Sequence, residues 1–413
     1  MKILAIETSC DETSIGIIEK IESISNCYKI LAHETISQVN KHIEFGGVFP
    51  TLARREHEKN LVPILVRCLV QAGLAIPTSH GNSVPAPSKG APVQSSLSDN
   101  EKNYYIDSLS RYPDLEKSFW EFAEKYDTKL IGESIDAIAV TNGPGLPPAL
   151  WVGVNFSKCL AEIFSTDNRN IPIYPINHME GHIVSALANK QDDQVTMQTP
   201  VYPMLSLLIS GGHTELVLSA EPHKYEKIGE TMDDAVGECF DKVARMLNLP
   251  YPGGPEIGKL AEQGRESGVS MNAKFPRPML HIKDFNFSFS GLKTHILYYI
   301  RDLDRVLTDQ DKLEIATEFE YAVRDVLFSK SKKAILETGA KSFVVGGGVI
   351  SSPFLRNELA KLEDETGCKV YLSDKQMATD NALMIALVAA TQIENKKEPT
   401  SDFIAVGSKN YSW

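Results

Sequence analysis

Two histidines separated by three residues stand in Asn177-His178-Met179-Glu180-Gly181-His182. Positions i and i+4 of an α-helix share one face. If the segment from about residue 178 is helical, both imidazoles point at one spot and offer two nitrogens to a metal. The same pair could equally be capping or packed core histidines. Asp380, in Ala378-Thr-Asp-Asn-Ala382, sits where a helix should begin, so its alternatives are simple capping and a carboxylate ligand. Together the three make an N,N,O donor set with open positions, suited to zinc or ferrous iron. Glu180 argues against protease chemistry. In HExxH the glutamate directly follows the first histidine. Here it is two residues on, about 200° round the helix from His178 and about 160° from His182, and so points away from a shared metal.

A second group of reactive side chains lies at the start of the chain. Glu7-Thr-Ser-Cys-Asp-Glu-Thr13 separates the apolar Ile3-Leu-Ala-Ile6 from Ser14-Ile-Gly-Ile-Ile18, which reads as strand, polar turn, strand. Amides and hydroxyls in such a turn can hold phosphate, and Asp11 and Glu12 can position a metal or water; the plainer reading is an ordinary polar hairpin. The theme returns after Pro200 to Pro203, as Met204-Leu-Ser-Leu-Leu-Ile209, then Ser210-Gly-Gly-His-Thr214, then Glu215-Leu-Val-Leu218. Two strand, glycine-loop, helix passages accompany these hairpins, at Thr141-Asn-Gly-Pro-Gly-Leu-Pro-Pro148 and at Gly346-Gly-Gly-Val349. Helix N-termini after such loops receive anions, though no GxxxxGK[ST] is present. Duplicated hairpins with phosphate-type turns predict an α/β chain of the two-lobed actin-like ATPase fold. The lobes are expected over residues 1–200 and 201–413, with a nucleotide in the cleft between them.

Between these stretches lie the positioning elements. A helical pattern runs from Thr51 to about Gly73 with Leu52, His57, Leu61, Ile64, Leu65 and Leu69 near one face; Arg55 and His57 on it read as structural. Residues 76–103 are rich in Pro, Ser, Gly and Asn and predict a linker. The stretch from Tyr112 to Tyr126 reads as a surface helix, so 76–130 is taken as an insertion. A helix from Asp233 to Leu247 carries Asp241, which periodicity does not orient, and Tyr251-Pro-Gly-Gly-Pro255 makes a sharp turn after it. The net charge of −12 over 413 residues excludes a broad basic face for nucleic acid. Six scattered cysteines without a CxxC pair fit reduced thiols in a cytoplasm, and no apolar run reaches membrane-spanning length.

Taken together these motifs resemble the TsaD family, the tRNA N6-adenosine threonylcarbamoyltransferases of the actin-like ATPase superfamily, in its bacterial form. The matching runs are Glu7–Ser14, Gly143–Leu146, His178–His182, Ser210–Thr214, Phe240–Lys242, Tyr251–Pro255, Phe287–Thr294, Gly346–Val349 and Thr379–Ala382, spread over nearly the whole chain. The resemblance implies transfer of threonylcarbamoyl from its adenylate to N6 of the adenosine 3′ of the anticodon, in tRNAs reading codons that begin with A. It implies that His178, His182 and Asp380 hold one divalent metal, Fe(2+) favoured and Zn(2+) the alternative. Leu208, Ile209, Ser210, Gly211, Gly212, Asp241 and Gly254 would bind threonylcarbamoyl-AMP or a nucleotide such as ATP or ADP with Mg(2+), with Gly347 in the later glycine loop. Asp11 and Glu12 would lie at the reacting end. The family usually has asparagine where this chain has Ser352, a shorter side chain without the amide. Implied partners are tRNA, a paralogous actin-like subunit of the TsaB type and a small ATPase of the TsaE type, with no membrane. The phosphate loops alone would also suit a small-molecule kinase of the same fold, and a metalloprotease is the weaker alternative.

Overall fold

The computed structural model describes residues 1–45, 47–78, 108–269 and 274–408. Most of the expected insertion, 79–107, therefore lies outside the described residues. Contacts gather the described chain into two compact units. Unit one comprises Met1–Val184, Ala188–Met197 and the segment from Asp380; unit two comprises Ser185–Leu187 and Gln198–Thr379.

Unit one opens with β1 (Lys2–Glu7), β2 (Glu12–Lys20) and β3 (Cys27–Ser37), an antiparallel meander as the apolar–polar–apolar pattern predicts. The helix α1 (Pro50–Gln71) follows, its first turn started by Pro50, whose missing N–H costs nothing there. Next comes α2 (Pro113–Lys125). The sequence reading placed this helix on the surface of an insertion, but Leu115, Phe119, Phe122 and Ala123 are buried in the core of unit one. Its charges occupy one face only, and the other face is aromatic enough to join the core. Then β4 (Ala137–Gly143), α3 (Pro147–Phe164), β5 (Ile173–Asn177), α4 (His178–Ala186), β6 (Ala188–Gln191) and β7 (Gln194–Met197) complete the first pass. The sheet order is β5-β4-β1-β2-β3-β7-β6, with β1, β4 and β5 parallel. Ile3, Leu4, Ala5 and Ile6 are fully buried, as expected for a central strand covered on both faces.

Unit two repeats the plan. It contains β8 (Met204–Ile209), β9 (Thr214–Glu221), β10 (Lys224–Glu230), α5 (Val236–Met246), α6 (Gly253–Ser267), α7 (Ser290–Asp302), α8 (Asp309–Thr338), β11 (Ser342–Gly346), α9 (Pro353–Ala360) and β12 (Lys369–Leu372). Its sheet runs β12-β11-β8-β9-β10. Replacing each strand by its place in the unit gives the same order as β5-β4-β1-β2-β3, with the same parallel and antiparallel pairs. The duplication suspected from two polar turns is thus a duplication of whole sheets.

The chain then returns to unit one through α10 (Ala382–Glu394). The sequence reading assigned all of 201–413 to the second lobe. The physical reason for the difference is that α10, Ala-Leu-Met-Ile-Ala-Leu-Val-Ala-Ala-Thr-Gln-Ile-Glu, is apolar nearly all round, so no polar face reveals where it must pack. It lies against β1, β2, β4 and β5, and this return brings Asp380 into unit one.

Candidate functional site

His178 begins α4 directly after β5, whose last residue caps it: the Asn177 side-chain oxygen accepts the backbone N–H of Met179 at 2.9 Å and of Glu180 at 3.4 Å. With Asn177 serving as cap, neither histidine caps the helix. The cap of α10 is likewise Asn381, which accepts from the Met384 N–H at 3.0 Å. Asp380 is therefore not the helix cap. Gly181 lets the two helices approach, since a Cβ there would sit 3.0 Å from Met384 Cγ.

The result is a convergence of three donors. Asp380 Oδ1 lies 3.5 Å from His178 Nε2 and 3.2 Å from His182 Nε2. The ligand atoms of all three residues fall within 4.8 Å of one another. Two ligands bonded at about 2.0–2.2 Å to one ion stand roughly 3.0–3.4 Å apart, close to the two separations from Asp380 Oδ1. The set fits a divalent metal in donor type and spacing. Glu180, buried on the same helix, instead accepts from Gln392 Nε2 at 3.4 Å, which gives it no part in the donor set.

Behind the histidines stands a residue that sequence reasoning missed. Glu7, the fully buried last residue of β1, receives the Ser9 N–H at 2.5 Å, the Thr141 hydroxyl at 2.5 Å and His178 Nδ1 at 3.2 Å. A carboxylate can only accept there, so His178 keeps a proton on Nδ1, and Nε2, turned toward Asp380 and His182, is the nitrogen that would ligate. Burial pushes the Glu7 carboxyl up, but His178 and the Ser9 bond outweigh it and hold it below its ordinary value. Burial likewise opposes a charge on His178, while Asp380 and Glu7 raise it to about 9. The pocket favours positive charge at that position, which is also what a metal supplies. The available signal was a carboxylate ending an otherwise apolar strand, and it pointed only to a buried acid.

Asp11 and Glu12 belong to the same neighbourhood. Burial raises both carboxyls, Glu12 well above its ordinary value, and the charge of Asp380 adds to both. They bond to each other, which lowers Asp11 and raises Glu12, so the two titrate as a pair.

The remaining predicted residues assemble in unit two. Leu208 and Ile209 end β8, and Ser210 closes a tight turn, its N–H bonded to His213 O at 2.9 Å and its hydroxyl accepting the His213 N–H at 3.1 Å. Gly211 and Gly212 in this turn, and Gly254 at the start of α6, would each carry a Cβ into open space. Asp241, left unoriented by periodicity, points to the start of α6, where its Oδ1 accepts the Gly253 N–H at 2.7 Å; burial raises it and that bond offsets part of the rise. Gly347 has φ +95° and approaches Ile209 O so closely that a Cβ would lie 2.4 Å away, a geometry only glycine meets. Ser352 caps α9, accepting the Leu355 N–H at 3.3 Å and donating to Glu320 Oε1 at 3.3 Å. Serine is thus engaged by its own helix and by a buried acid.

Comparison with known proteins gives the family. The model of the TsaD family, tRNA N6-adenosine threonylcarbamoyltransferase, matches residues 29–79 and 125–387. The proteins of that name from Nitrosospira multiformis and Nitrosomonas europaea are 34% and 36% identical, over 97% and 96% of this chain and 94% of each relative. That of Nitrosomonas eutropha is 36% identical over 97% of this chain and 96% of its own. Among solved structures, full-length HypF in its phosphate- and nucleotide-bound form aligns with 95% of this chain and 46% of that one, at 13% identity and a TM-score of 0.48.

Proposed function

The chain belongs to the TsaD family of tRNA N6-adenosine threonylcarbamoyltransferases, and on that premise we propose how its residues divide the work. The enzyme is an acyltransferase of the actin-like ATPase fold and modifies tRNA. Threonylcarbamoyl-AMP is the donor: the adenosine N6 attacks its carbamoyl carbon, a new C–N bond forms, the bond from that carbon to the phosphate oxygen breaks, and AMP leaves. The acceptor is the adenosine 3′ of the anticodon in tRNAs reading codons that begin with A.

The observation that carries this reading is the meeting of His178 Nε2, His182 Nε2 and Asp380 Oδ1 on one point. These three would hold one divalent ion, Fe(2+) by the N,N,O donor set, with Zn(2+) the alternative. When bound it supplies a positive centre for the carbonyl and threonyl oxygens of the donor. Glu7 keeps His178 in the ligating tautomer. The Asp11–Glu12 pair receives the proton that N6 loses. In unit two the Leu208–Gly212 turn, Gly254 and Gly347 offer backbone without side chains to the adenylate, and Asp241 and Ser352 flank it. ATP or ADP with Mg(2+) would use the same loops. No residue is placed as a covalent nucleophile, in keeping with direct transfer.

The acidic balance of the chain, −12, leaves tRNA binding to be shared with a TsaB-type paralogous subunit and a TsaE-type ATPase, in the cytoplasm. Among the described residues no helix is long and apolar enough to cross a membrane. The test is nucleoside mass spectrometry of tRNA incubated with the purified chain, threonylcarbamoyl-AMP and these partners. The expected product is N6-threonylcarbamoyladenosine. Its absence under every partner combination would end the proposal, and activity that survives His178→Ala together with His182→Ala would end the role of the metal.

A further inference from the structure

His57 lies on α1 and reads in sequence as a structural residue of that helix. In the fold it is fully buried, as are His42 and Gln38 to within 1%. Buried polar groups must be partnered, and here the partners form a single file. The Phe49 N–H donates to His42 Nδ1 at 3.2 Å, and His42 Nε2 meets Gln38 Oε1 at 3.3 Å. Gln38 Nε2 donates to His57 Nδ1 at 3.4 Å, where the Thr13 hydroxyl also arrives at 2.8 Å. His57 Nε2 ends the file on the carbonyl oxygen of Cys10 at 3.1 Å.

The two ends fix every proton between them. A carbonyl oxygen only accepts, so His57 carries its hydrogen on Nε2 and its Nδ1 accepts. A backbone N–H only donates, so His42 Nδ1 accepts and its Nε2–H serves Gln38. The amide of Gln38 is thereby oriented from both sides. Burial agrees, since it lowers His42 and holds His57 down to about 4, which keeps the rings neutral.

The far end of the file is the turn that bears Asp11 and Glu12. Three successive carbonyls of that turn are held: Ser9 O by the Leu146 N–H at 2.8 Å, Cys10 O by His57, and Asp11 O by the Gln38 N–H at 2.9 Å. Only the middle one is held by a side chain. The geometry points to His57 as a positioning residue that fixes the Cys10–Asp11 peptide and so the aim of the Asp11 and Glu12 carboxyls, with Gln38 and His42 setting its tautomer. This inference rests on the reading of Asp11 and Glu12 as the proton-accepting pair.

The test compares variants in the complete transfer reaction. His57→Leu, which removes the donor to Cys10 O, is expected to lower kcat by about 10- to 100-fold, with KM for both substrates within about twofold of wild type, because misplacement rather than lost binding is involved. Metal content should not change. His57→Gln returns an N–H near the position of Nε2 and should recover most of the rate. Unchanged kcat in His57→Leu, or His57→Gln as impaired as His57→Leu, overturns the positioning role. Should His57→Leu fail to fold, Gln38→Met decides, since it breaks the file but keeps the backbone N–H to Asp11 O; an unchanged rate there overturns the inference. Histidine ¹⁵N shifts of the wild type give a separate reading, with His42 and His57 both neutral and protonated on Nε2 at neutral pH; any other tautomer refutes it. Asp11→Asn and Glu12→Gln with full activity would instead show that the reading of the pair is wrong.

Discussion

Replacing Glu7 by glutamine changes one oxygen to NH2 and nothing else in outline, yet it should disable the metal site. The carboxylate now receives three donors, from Ser9, Thr141 and His178. Glutamine must keep its oxygen toward the Ser9 N–H, because turning the amide would oppose two donors in a fully buried position. Its NH2 then faces Thr141, whose hydroxyl can rotate to accept, and His178 Nδ1, which must accept as well. The imidazole proton moves to Nε2, and the lone pair aimed at Asp380 and His182 is lost. Outer partners of metal-bound histidines are worth about 10- to 100-fold in affinity, or roughly 1.4–2.8 kcal/mol. Glu7→Gln should therefore bind Co(2+) or Zn(2+) more weakly by that factor in competition with a chromophoric chelator. A folded Glu7→Gln protein whose Kd lies within about twofold of wild type would refute the tautomer argument.

Metal affinity should also fall with pH. His178 is raised to about 9, so below that value an incoming ion must displace its proton, and the same titration should show roughly tenfold weaker binding per pH unit on going down; a flat profile would contradict this. The stability of the fold should depend on pH through His57, whose folded value of about 4 lies below its ordinary 6.5. The unfolded chain then binds the proton more tightly, so stability is complete above about 6.5 and falls by up to about 3 kcal/mol toward pH 4; His57→Gln should remove that component from urea melts. Phe119→Ala, at a fully buried position of α2, should cost about 3–5 kcal/mol if that helix is core, and near zero if it is merely surface. Gly347→Ala should destabilise the protein by about 2 kcal/mol or more, because φ is +95° and the new Cβ meets Ile209 O at 2.4 Å; an unchanged melt would show that the loop yields freely.

What the sequence revealed depended on how local each cause is. His178 and His182 were legible because a four-residue spacing acts within one helix. Asp380 could be read as ligand or cap, and only the structure shows that Asn381 takes the capping role. The packing of α10 on the first sheet was illegible, since a helix apolar on every side announces burial without a direction. Glu7 was invisible as a positioning residue because its partners arrive from β4 and from the start of α4, just after β5, a matter of strand order. The file through His42, Gln38 and His57 was hidden for the same reason: each member is ordinary alone, and the fold alone lines them up.

The repeated sheets suggest why the chemistry is split as proposed. The β1–β2 turn and the β8–β9 turn occupy equivalent places in their units. In the first, Asp11 and Glu12 stand near Asp380, whose charge raises the pKa of both. A phosphate brought to that turn would add negative charge where two carboxyls already resist ionising, whereas a cation or a proton would relieve the field. In the second, Ser210-Gly-Gly-His213 carries no acid, and its glycines face open space. Backbone amides without side chains or like charge are what a phosphate needs. One framework used twice can therefore serve two ligands of opposite charge, the side chains of one turn having become acidic and those of the other having been reduced to almost nothing. On this reasoning, carrying Gly211→Asp into the second turn should weaken binding of the adenylate while leaving metal content untouched, and loss of metal instead would show that the two turns do not divide the work in this way.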